Sequence, residues 1–364
     1  MNINVFDRAN YPPMFLVCFL PLSYLTGPTA YVLWIALQYV SLLAVLYLLI
    51  GRDQTLPRTT RASIASLAVL FFPLYDNFCY GQIQLMILLG LLVVNLLLAR
   101  RSDVAAGIVL SFLVLVKLYP LMLVGYLLVR RRWRAINWMA IGLCLGSILT
   151  WLALGRDLPI GIMSVTGTAG NSAGAQSITG AFKAMADLPS TLIEQGGFLS
   201  LSDQMARLAR LIDPEASVRV IAIAIVLGLG VALLVAVYVT VSADERWNHD
   251  IAAFSVWVVL APLITHAYQG YGVFLLMPFA ILAGSVVRHE AFLPIAGWLM
   301  LAAYTLANLA PLAPHSLLYP MLAVFKELLT IGFVAACFYA LSIHKGEVGR
   351  GLPDLNRRPH APQA

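Results

Sequence analysis

Charged residues are scarce in this chain of 364 residues. Asp, Glu, Lys and Arg make up only 11% of it, against about 25% in soluble globular proteins, and hydrophobic residues make up 61%. Because a soluble fold of this composition would have to expose leucine and valine over its surface, the composition excludes a soluble domain. At about 20 apolar residues per crossing, the chain holds roughly ten membrane segments. We therefore predict an all-α, polytopic transmembrane helical bundle.

The signature motifs of several enzyme classes are missing as well. The sequence has no Walker-type phosphate loop, HExxH pair, GxSxG elbow or CxxC pair, so nothing indicates an ATPase, a zinc protease or a serine hydrolase. Its four cysteines (Cys18, Cys79, Cys144 and Cys337) are widely spaced and are predicted to be small buried hydrophobic residues. We predict no cofactor and no metal ligands, and leave assistance by a divalent metal open.

Apolar runs divide the chain into segments. They lie at 14–26, 29–50, 62–75, 82–99, 104–129, 135–154, 218–241, 250–265, 271–287, 292–310 and 317–343. The run 104–129 is interrupted near Lys117, and Pro120 removes a helix hydrogen bond there, so two short segments are predicted to meet at Lys117. Residues 1–343 are predicted to form one transmembrane domain. The polar tail 344–364 is predicted to be disordered and cytoplasmic.

Basic residues indicate the orientation of the segments. Fifteen of the 23 lysines and arginines lie in the tail and in the loops at 51–63, 100–103, 130–134, 242–249 and 288–291. Short basic clusters between apolar runs are typical of cytoplasmic loops and argue against nucleic-acid binding. Alternation then places the long loop 155–217 on the non-cytoplasmic side, either as a flexible surface loop or as a lid or acceptor platform on the membrane face.

The same alternation places residues 1–11 outside the cell, although Met1 is followed by no signal-peptide pattern. Two interpretations follow. Either 14–50 forms a helical hairpin, or a span upstream of this sequence is missing; the second is preferred.

Lys117 is the sharpest candidate for a functional side chain. Ionisable groups inside apolar runs are energetically expensive and are often functional. An ammonium beside a broken helix suits a phosphate group. The alternative is a lysine that extends to the membrane interface.

A polar stretch separates two apolar runs at Asp76, Asn77, Gly81 and Gln82. Glycine allows close approach of the backbone, and side-chain amides can bind hydroxyl groups. The alternative is an ordinary turn between helices, with these residues as caps. We predict a polar turn that contributes to a substrate site.

Other polar candidates lie near the predicted membrane surfaces. His266, close to Tyr268, could hydrogen-bond a phosphate or a sugar hydroxyl, or could be an interfacial histidine in an aromatic belt. Arg156 could face an anionic headgroup or anchor the loop. Asp7 could be a general base, or a polar residue of a loop. With Tyr119, these residues complete the predicted site.

Three stretches of the sequence resemble glycosyltransferase family 87, whose members are multi-span enzymes of the GT-C class. The first begins Tyr11-Pro12-Pro13 and runs to Trp34. The second runs from Asn77 through Gly81-Gln82 and Lys117-Leu118-Tyr119-Pro120 to the arginine cluster before Ala135, and the third comprises Pro262, His266 and Tyr268. The resemblance covers roughly 11–290.

This resemblance implies a membrane glycosyltransferase. Such an enzyme would transfer mannose or a related sugar, with inversion, from a polyprenyl-phosphate donor to a glycolipid or polysaccharide acceptor. It would act on the outer face of a bacterial-type plasma membrane. The resemblance also implies that Lys117 and His266 lie near the donor phosphate, and that Gly81 and Gln82 line the same cavity. The family's base is a carboxylate on the first external loop; Asp7 is the candidate here, although it lies closer to Tyr11 than that base is expected to lie.

Two other function classes stay open at this point. A flippase or other transporter of lipid-linked sugars would share the helices, the intramembrane lysine and the broken segments. The absence of a visible inverted repeat and the long external loop disfavour it. A catalytically inactive membrane scaffold is the third class. Turnover of a sugar donor separates the first class from the other two.

Overall fold

The structure, a computed structural model, describes residues 13–154 apart from 53, 55 and 80, and residues 218–242, 247–264 and 273–287. The predicted loop 155–217, the apolar runs at 292–310 and 317–343, and the predicted tail 344–364 lie outside the described residues. Throughout the described part, the regular secondary structure is helical. This agrees with the all-α prediction, while the count of ten segments and the extent of the domain stay predictions.

The described helices follow the apolar runs of the sequence. They are α1 (Pro13–Phe19), α2 (Gly27–Leu46), α3 (Arg58–Val69), α4 (Phe72–Cys79), α5 (Gln84–Ala99), α6 (Asp103–Val116), α7 (Leu123–Val129), α8 (Trp133–Leu154), α9 (Val218–Ser242), α10 (Trp247–Ile264) and α11 (Leu276–Val287). Short 3-10 segments at Leu20–Tyr24 and Tyr119–Met122 precede α2 and α7, and α2 ends in a π-helical turn at Tyr47–Gly51.

Two of the described helices are long and apolar enough to cross a membrane alone. They are Gly27–Gly51 and Trp133–Ala153. The pair Arg58–Val69 and Pro73–Cys79, bent by 52°, would add a third span if it crosses as one unit. Since α8 has 22 residues, its length of about 33 Å matches a hydrocarbon core of about 30 Å.

The structure corrects the interpretation of residues 62–77. A short apolar piece closed by a polar turn at Asp76 and Asn77 was predicted, but both residues lie inside α4. Pro73 is tolerated there because it falls in the first turn of α4, where no helical hydrogen bond is lost. The turn itself therefore comes later, around Gly81.

Helices α6 and α8 make the most extensive helix contact of the described part. A Cβ atom added to Gly107 would lie 2.4 Å from the carbonyl oxygen of Ala135, and one added to Gly142 would lie 2.1 Å from Oγ of Ser111. Small residues at such points let two backbones approach closely, as in membrane helix pairs. Leu115, further along α6, faces Gly146, further along α8. The two helices therefore run in the same direction.

Helices α7, α9 and α10 pack together in the same way. Gly125 of α7 faces the ring of Trp257, whose atoms would lie 2.2 Å from an added Cβ. The Trp257 indole donates to Oγ1 of Thr240 at 2.8 Å, which ties α10 to α9. The Tyr126 and Phe254 rings meet edge to face, with centroids 5.2 Å apart. Sequence-distant helices thus share one buried core.

One end of the bundle carries ion pairs between helix ends. Arg132 contacts Asp103 at 3.4 Å, and Arg130 contacts Asp250 at 2.9 Å. The Tyr126 hydroxyl also donates to Asp250, at 2.7 Å. The loops 100–103 and 130–134 and the start of α10 therefore lie at the same end. This geometry agrees with their common side in the charge pattern, and we call it the arginine end.

Candidate functional site

The predicted interruption at Lys117 is confirmed. Helix α6 ends at Val116, and Lys117 has an extended backbone with φ −155° and ψ 131°. The chain then turns through Tyr119–Met122 and returns as α7. Because Asp103 and Arg132 meet at the arginine end, the segment 103–132 leaves that end and comes back to it, and Lys117 lies at its far tip.

The depth of Lys117 in the bundle can be measured along the neighbouring long helix α8. Leu115 faces Gly146, so Lys117 lies within about one turn of the level of Gly146. Gly146 lies thirteen positions after Trp133 in the helix, which corresponds to about 20 Å from the arginine end. Only 8% of the Lys117 surface is exposed. The ammonium is therefore enclosed by protein at a depth well inside a span.

An aromatic ring lies beside the lysine. Its Nζ lies 6.0 Å from the centroid of the Tyr119 ring, at the limit of a cation–π interaction. The Tyr119 ring in turn meets Phe274 edge to face, with centroids 5.3 Å apart. The segment before α11 thus packs against the ring that lies beside Lys117.

A second polar group of residues, which we call the amide cluster, joins α2, α4 and the start of α5. It consists of Gln38, Asn77, Gln82 and Gln84. The Gln38 side chain donates to the Gln82 carbonyl and accepts from Nδ2 of Asn77 at 3.1 Å. Gln84 donates from Nε2 to Oε1 of Gln82 at 3.0 Å. Asp76 lies half-buried one residue from Asn77.

The turn beside this cluster depends on Gly81. Its φ is +58°, the left-handed region that favours glycine. The indole of Trp34 donates to the Gly81 carbonyl at 3.2 Å, and a Cβ on Gly81 would lie 3.4 Å from the same nitrogen. Two side chains of α2, Trp34 and Gln38, therefore fix consecutive carbonyl groups of the turn.

Lys117 and the amide cluster lie at the same level of the bundle. Gly90 of α5 faces Leu113 of α6, and because both helices meet at the 100–103 loop they run in opposite directions. Lys117 lies four residues beyond Leu113, and Met86 lies four residues before Gly90. The level of Lys117 along the helix axes is therefore within one turn of the level of Gln84. Gln84 begins α5, which packs against α6, the helix that ends one residue before Lys117.

Two acceptors of the amide cluster have no hydrogen-bond donor among the described residues. They are Oδ1 of Asn77 and Oε1 of Gln84, both fully buried. An unpaired buried acceptor costs about 1–3 kcal/mol. Such groups are well suited to accept hydrogen bonds from a hydroxylated ligand.

The structure describes only part of the predicted site. It describes Lys117 and Tyr119 at the helix break, and Asn77, Gly81 and Gln82 in and beside the amide cluster. Asp7, Arg156, His266 and Tyr268 lie outside the described residues. No group of three or more potential metal ligands occurs within the described part of the chain.

Three residues of this site were missed from the sequence: Trp34, Gln38 and Gln84. Gln38 carries a signal in retrospect, since a glutamine in the middle of an apolar span is expensive without a partner. Trp34 carries none, because a tryptophan inside an apolar run is unremarkable in sequence.

Comparison with known proteins identifies the family. The family model of glycosyltransferase family 87 matches residues 10–201, more than half of the chain. The chain belongs to glycosyltransferase family 87. The match includes α1 to α8, so the family 87 region contains both Lys117 and the amide cluster.

One curated relative extends this result. A polyprenol-phosphate-mannose-dependent alpha-(1-2)-phosphatidylinositol mannoside mannosyltransferase of Mycobacterium tuberculosis is 31% identical over 159 residues. The aligned part covers 39% of this chain and spans 37% of the length of that relative. No solved structure matches the family 87 chain described here.

Proposed function

We propose that this protein is a membrane glycosyltransferase that moves mannose or a related sugar from a polyprenyl-phosphate donor to a glycolipid or polysaccharide acceptor. Membership in family 87 and the printed activity of the mycobacterial relative support the reaction class. The observation that carries the proposal is the buried Lys117 at the tip of a broken segment, level with the amide cluster. A lipid-linked donor needs such an intramembrane site because its isoprenoid chain stays in the bilayer.

Lys117 would act on the leaving group. In the proposed step, an acceptor hydroxyl oxygen attacks the anomeric carbon from the face opposite the phosphate, and the bond from that carbon to the phosphate oxygen breaks. Polyprenyl phosphate leaves, and the configuration inverts. A cation already placed beside the phosphate stabilises the charge that develops on it, and burial strengthens that interaction. His266 and Arg156 are proposed to assist at the same group.

The acceptor proton would pass to a carboxylate. Asp7 is the candidate for this base within the sequence. The amide cluster would hold sugar hydroxyls, since Asn77 and Gln84 each offer a buried acceptor and Gln82 is held beside them. Asp76, Gly81, Tyr119 and Tyr268 would line the remaining surface of the site.

The depth of Lys117 supports a reaction on the non-cytoplasmic side. Loops rich in arginine face the cytoplasm in membrane proteins, and Lys117 lies about 20 Å from the arginine end along α8. The remaining distance to the other surface is shorter. In a bacterial-type plasma membrane, this depth supports a donor phosphate near the outer leaflet.

Reconstitution tests the proposal. The full chain would be placed in proteoliposomes with polyprenyl-phosphate mannose and a phosphatidylinositol mannoside acceptor, and the lipids analysed by mass spectrometry. We expect an acceptor heavier by one hexose, together with free polyprenyl phosphate. Movement of intact donor between leaflets would instead identify a transporter, and neither product with any sugar donor or acceptor tested would contradict the proposed activity.

A further inference from the structure

Helices α5 and α7 end with the same pattern of backbone hydrogen bonds. At the end of α5, Ser102 N–H donates to the Leu97 carbonyl at 2.9 Å and Arg101 N–H donates to Leu98 at 3.0 Å. At the end of α7, Arg132 N–H donates to the Leu127 carbonyl at 2.8 Å and Arg131 N–H donates to the Leu128 carbonyl at 3.0 Å. At both helix ends this nested pair of bonds is the Schellman motif.

An arginine occupies the position where glycine is usually found. Arg101 has φ +58° and Arg131 has φ +54°, and they are the non-glycine residues with positive φ in the described part of the chain. The left-handed conformation is unfavourable for a residue with a Cβ atom. Because glycine would close both helix ends with less strain, the arginine side chains themselves call for an explanation.

The two carboxylates that the structure describes in ion pairs at this end already have partners. Asp103 pairs with Arg132 and Asp250 pairs with Arg130. Arg101 and Arg131 are both exposed, and within the described residues neither side chain makes an ion pair or hydrogen bond. The pair between Asp103 and Arg132 joins the two helix ends, so Arg101 and Arg131 lie on the same part of the arginine end.

The patch lies at the level where lipid headgroups are found. Trp133, 58% exposed, directly follows the second helix end and begins α8. An exposed tryptophan at the start of a span is typical of the membrane interface. Guanidinium groups bind phosphate oxygens through two parallel hydrogen bonds, which a lysine does not offer.

We propose that Arg101 and Arg131 form a binding site for the phosphate of an anionic glycerophospholipid at the arginine end. The two helix ends place both arginines beside the headgroup layer. The site is separate from Lys117, and its function does not depend on the proposed transferase activity.

Replacement by glycine distinguishes the effect of the backbone conformation from the effect of the side-chain charge. The double variant Arg101→Gly/Arg131→Gly relieves the left-handed strain and removes both guanidinium groups. The double variant Arg100→Ala/Arg134→Ala removes the same charge from exposed neighbours whose backbone is not left-handed. Thermal unfolding of each purified protein in neutral detergent would be followed after addition of phosphatidylglycerol, phosphatidylcholine or inorganic phosphate.

We expect phosphatidylglycerol, and neither of the other two additives, to raise the midpoint of wild-type unfolding by several degrees. The glycine variant should start at or above the wild-type midpoint and lose this increase, while the alanine variant should keep most of it. An equal increase with inorganic phosphate would assign the site to free anions rather than to lipid. An undiminished increase in the glycine variant, or an equal loss in both variants, would overturn the proposal.

Discussion

Gly81 sets the shape of the turn beside the amide cluster. Its positive φ is unfavourable for any residue with a Cβ atom, and the space beside it is limited by the Trp34 indole. We expect Gly81→Ala to lower the free energy of unfolding by about 1–2 kcal/mol, measured by chemical unfolding in detergent. Gly27→Ala is the control, because an added Cβ there meets nothing within 4 Å. Equal effects of the two substitutions would contradict the role given to φ.

Gln38 connects α2 to the turn through two hydrogen bonds. Gln38→Leu would leave the Gln82 carbonyl and the Asn77 amide without this partner. Since each buried polar group left unpaired costs about 1–3 kcal/mol, we expect a loss of about 2 kcal/mol or more in thermal or chemical unfolding.

Ser41→Ala is the matched control for this experiment. Ser41 lies on the same helix, is also buried, and its hydroxyl donates to a carbonyl of its own helix, Leu37, at 2.8 Å. That carbonyl can keep its helical partner, so we expect an effect of about 0.5 kcal/mol. A loss for Gln38→Leu no larger than for Ser41→Ala would show that the bridge contributes little.

At the residue scale, the sequence predicts which side chains are chemically unusual better than it predicts which side chains contact each other. Lys117 stands out because an ammonium in an apolar run is rare, and its position at a helix break is confirmed. Asn77 was predicted in a turn because polar residues usually end apolar runs, yet it lies in α4, where Gln38 satisfies its amide. That partner is 39 residues away in the sequence, and no local pattern indicates it.

At the scale of helices, glycine positions determine how closely neighbours pack. Gly107→Ala would place a Cβ 2.4 Å from the Ala135 carbonyl oxygen and 2.9 Å from the Met139 nitrogen, both backbone atoms that cannot rotate away. We expect a loss of about 1–3 kcal/mol in the free energy of unfolding, because α6 and α8 would have to separate.

Gly90→Ala provides the comparison. The nearest atoms to its added Cβ would be those of the Leu113 side chain, the first at 2.6 Å, and that side chain can adopt another rotamer. The higher helix propensity of alanine, about 1 kcal/mol, partly offsets the adjustment. A larger loss for Gly90→Ala than for Gly107→Ala would mean that the contact between α6 and α8 is not as close as described.

Helix positions were well predicted where apolar runs are long and end in basic residues, as in α8 and the pair α6 and α7. Residues 58–79 were predicted less well. The bend of 52° between α3 and Pro73–Cys79 lies at a break that is followed by Pro73. A break of this kind inside an apolar run has no periodic signal in the sequence.

For the whole molecule, the return of residues 103–132 to one surface is the strongest topological feature. We expect Arg100→Cys and Arg134→Cys, each in a cysteine-free background, to react with a membrane-impermeant maleimide from the same side of sealed vesicles. Ala153→Cys, at the other end of α8, should react only from the opposite side. All three positions are exposed.

Labelling of positions 100 and 134 from opposite sides would mean that the segment crosses the membrane completely. The charge pattern predicted the common side of these loops. It did not predict the ion pairs that join them, since Arg130 and Asp250 are separated by 120 residues.

The most direct test of the proposed function is sugar transfer by Lys117 variants. The steady-state rate of transfer from polyprenyl-phosphate mannose would be measured for the wild type, Lys117→Ala, Lys117→Arg and the exposed control Arg134→Ala, with thermal unfolding as a check on folding. We predict a loss of about 100-fold to 1,000-fold for Lys117→Ala, a partial recovery for Lys117→Arg, and wild-type rates for Arg134→Ala. A folded Lys117→Ala protein that transfers sugar at the wild-type rate would contradict the assignment of the donor phosphate to this lysine.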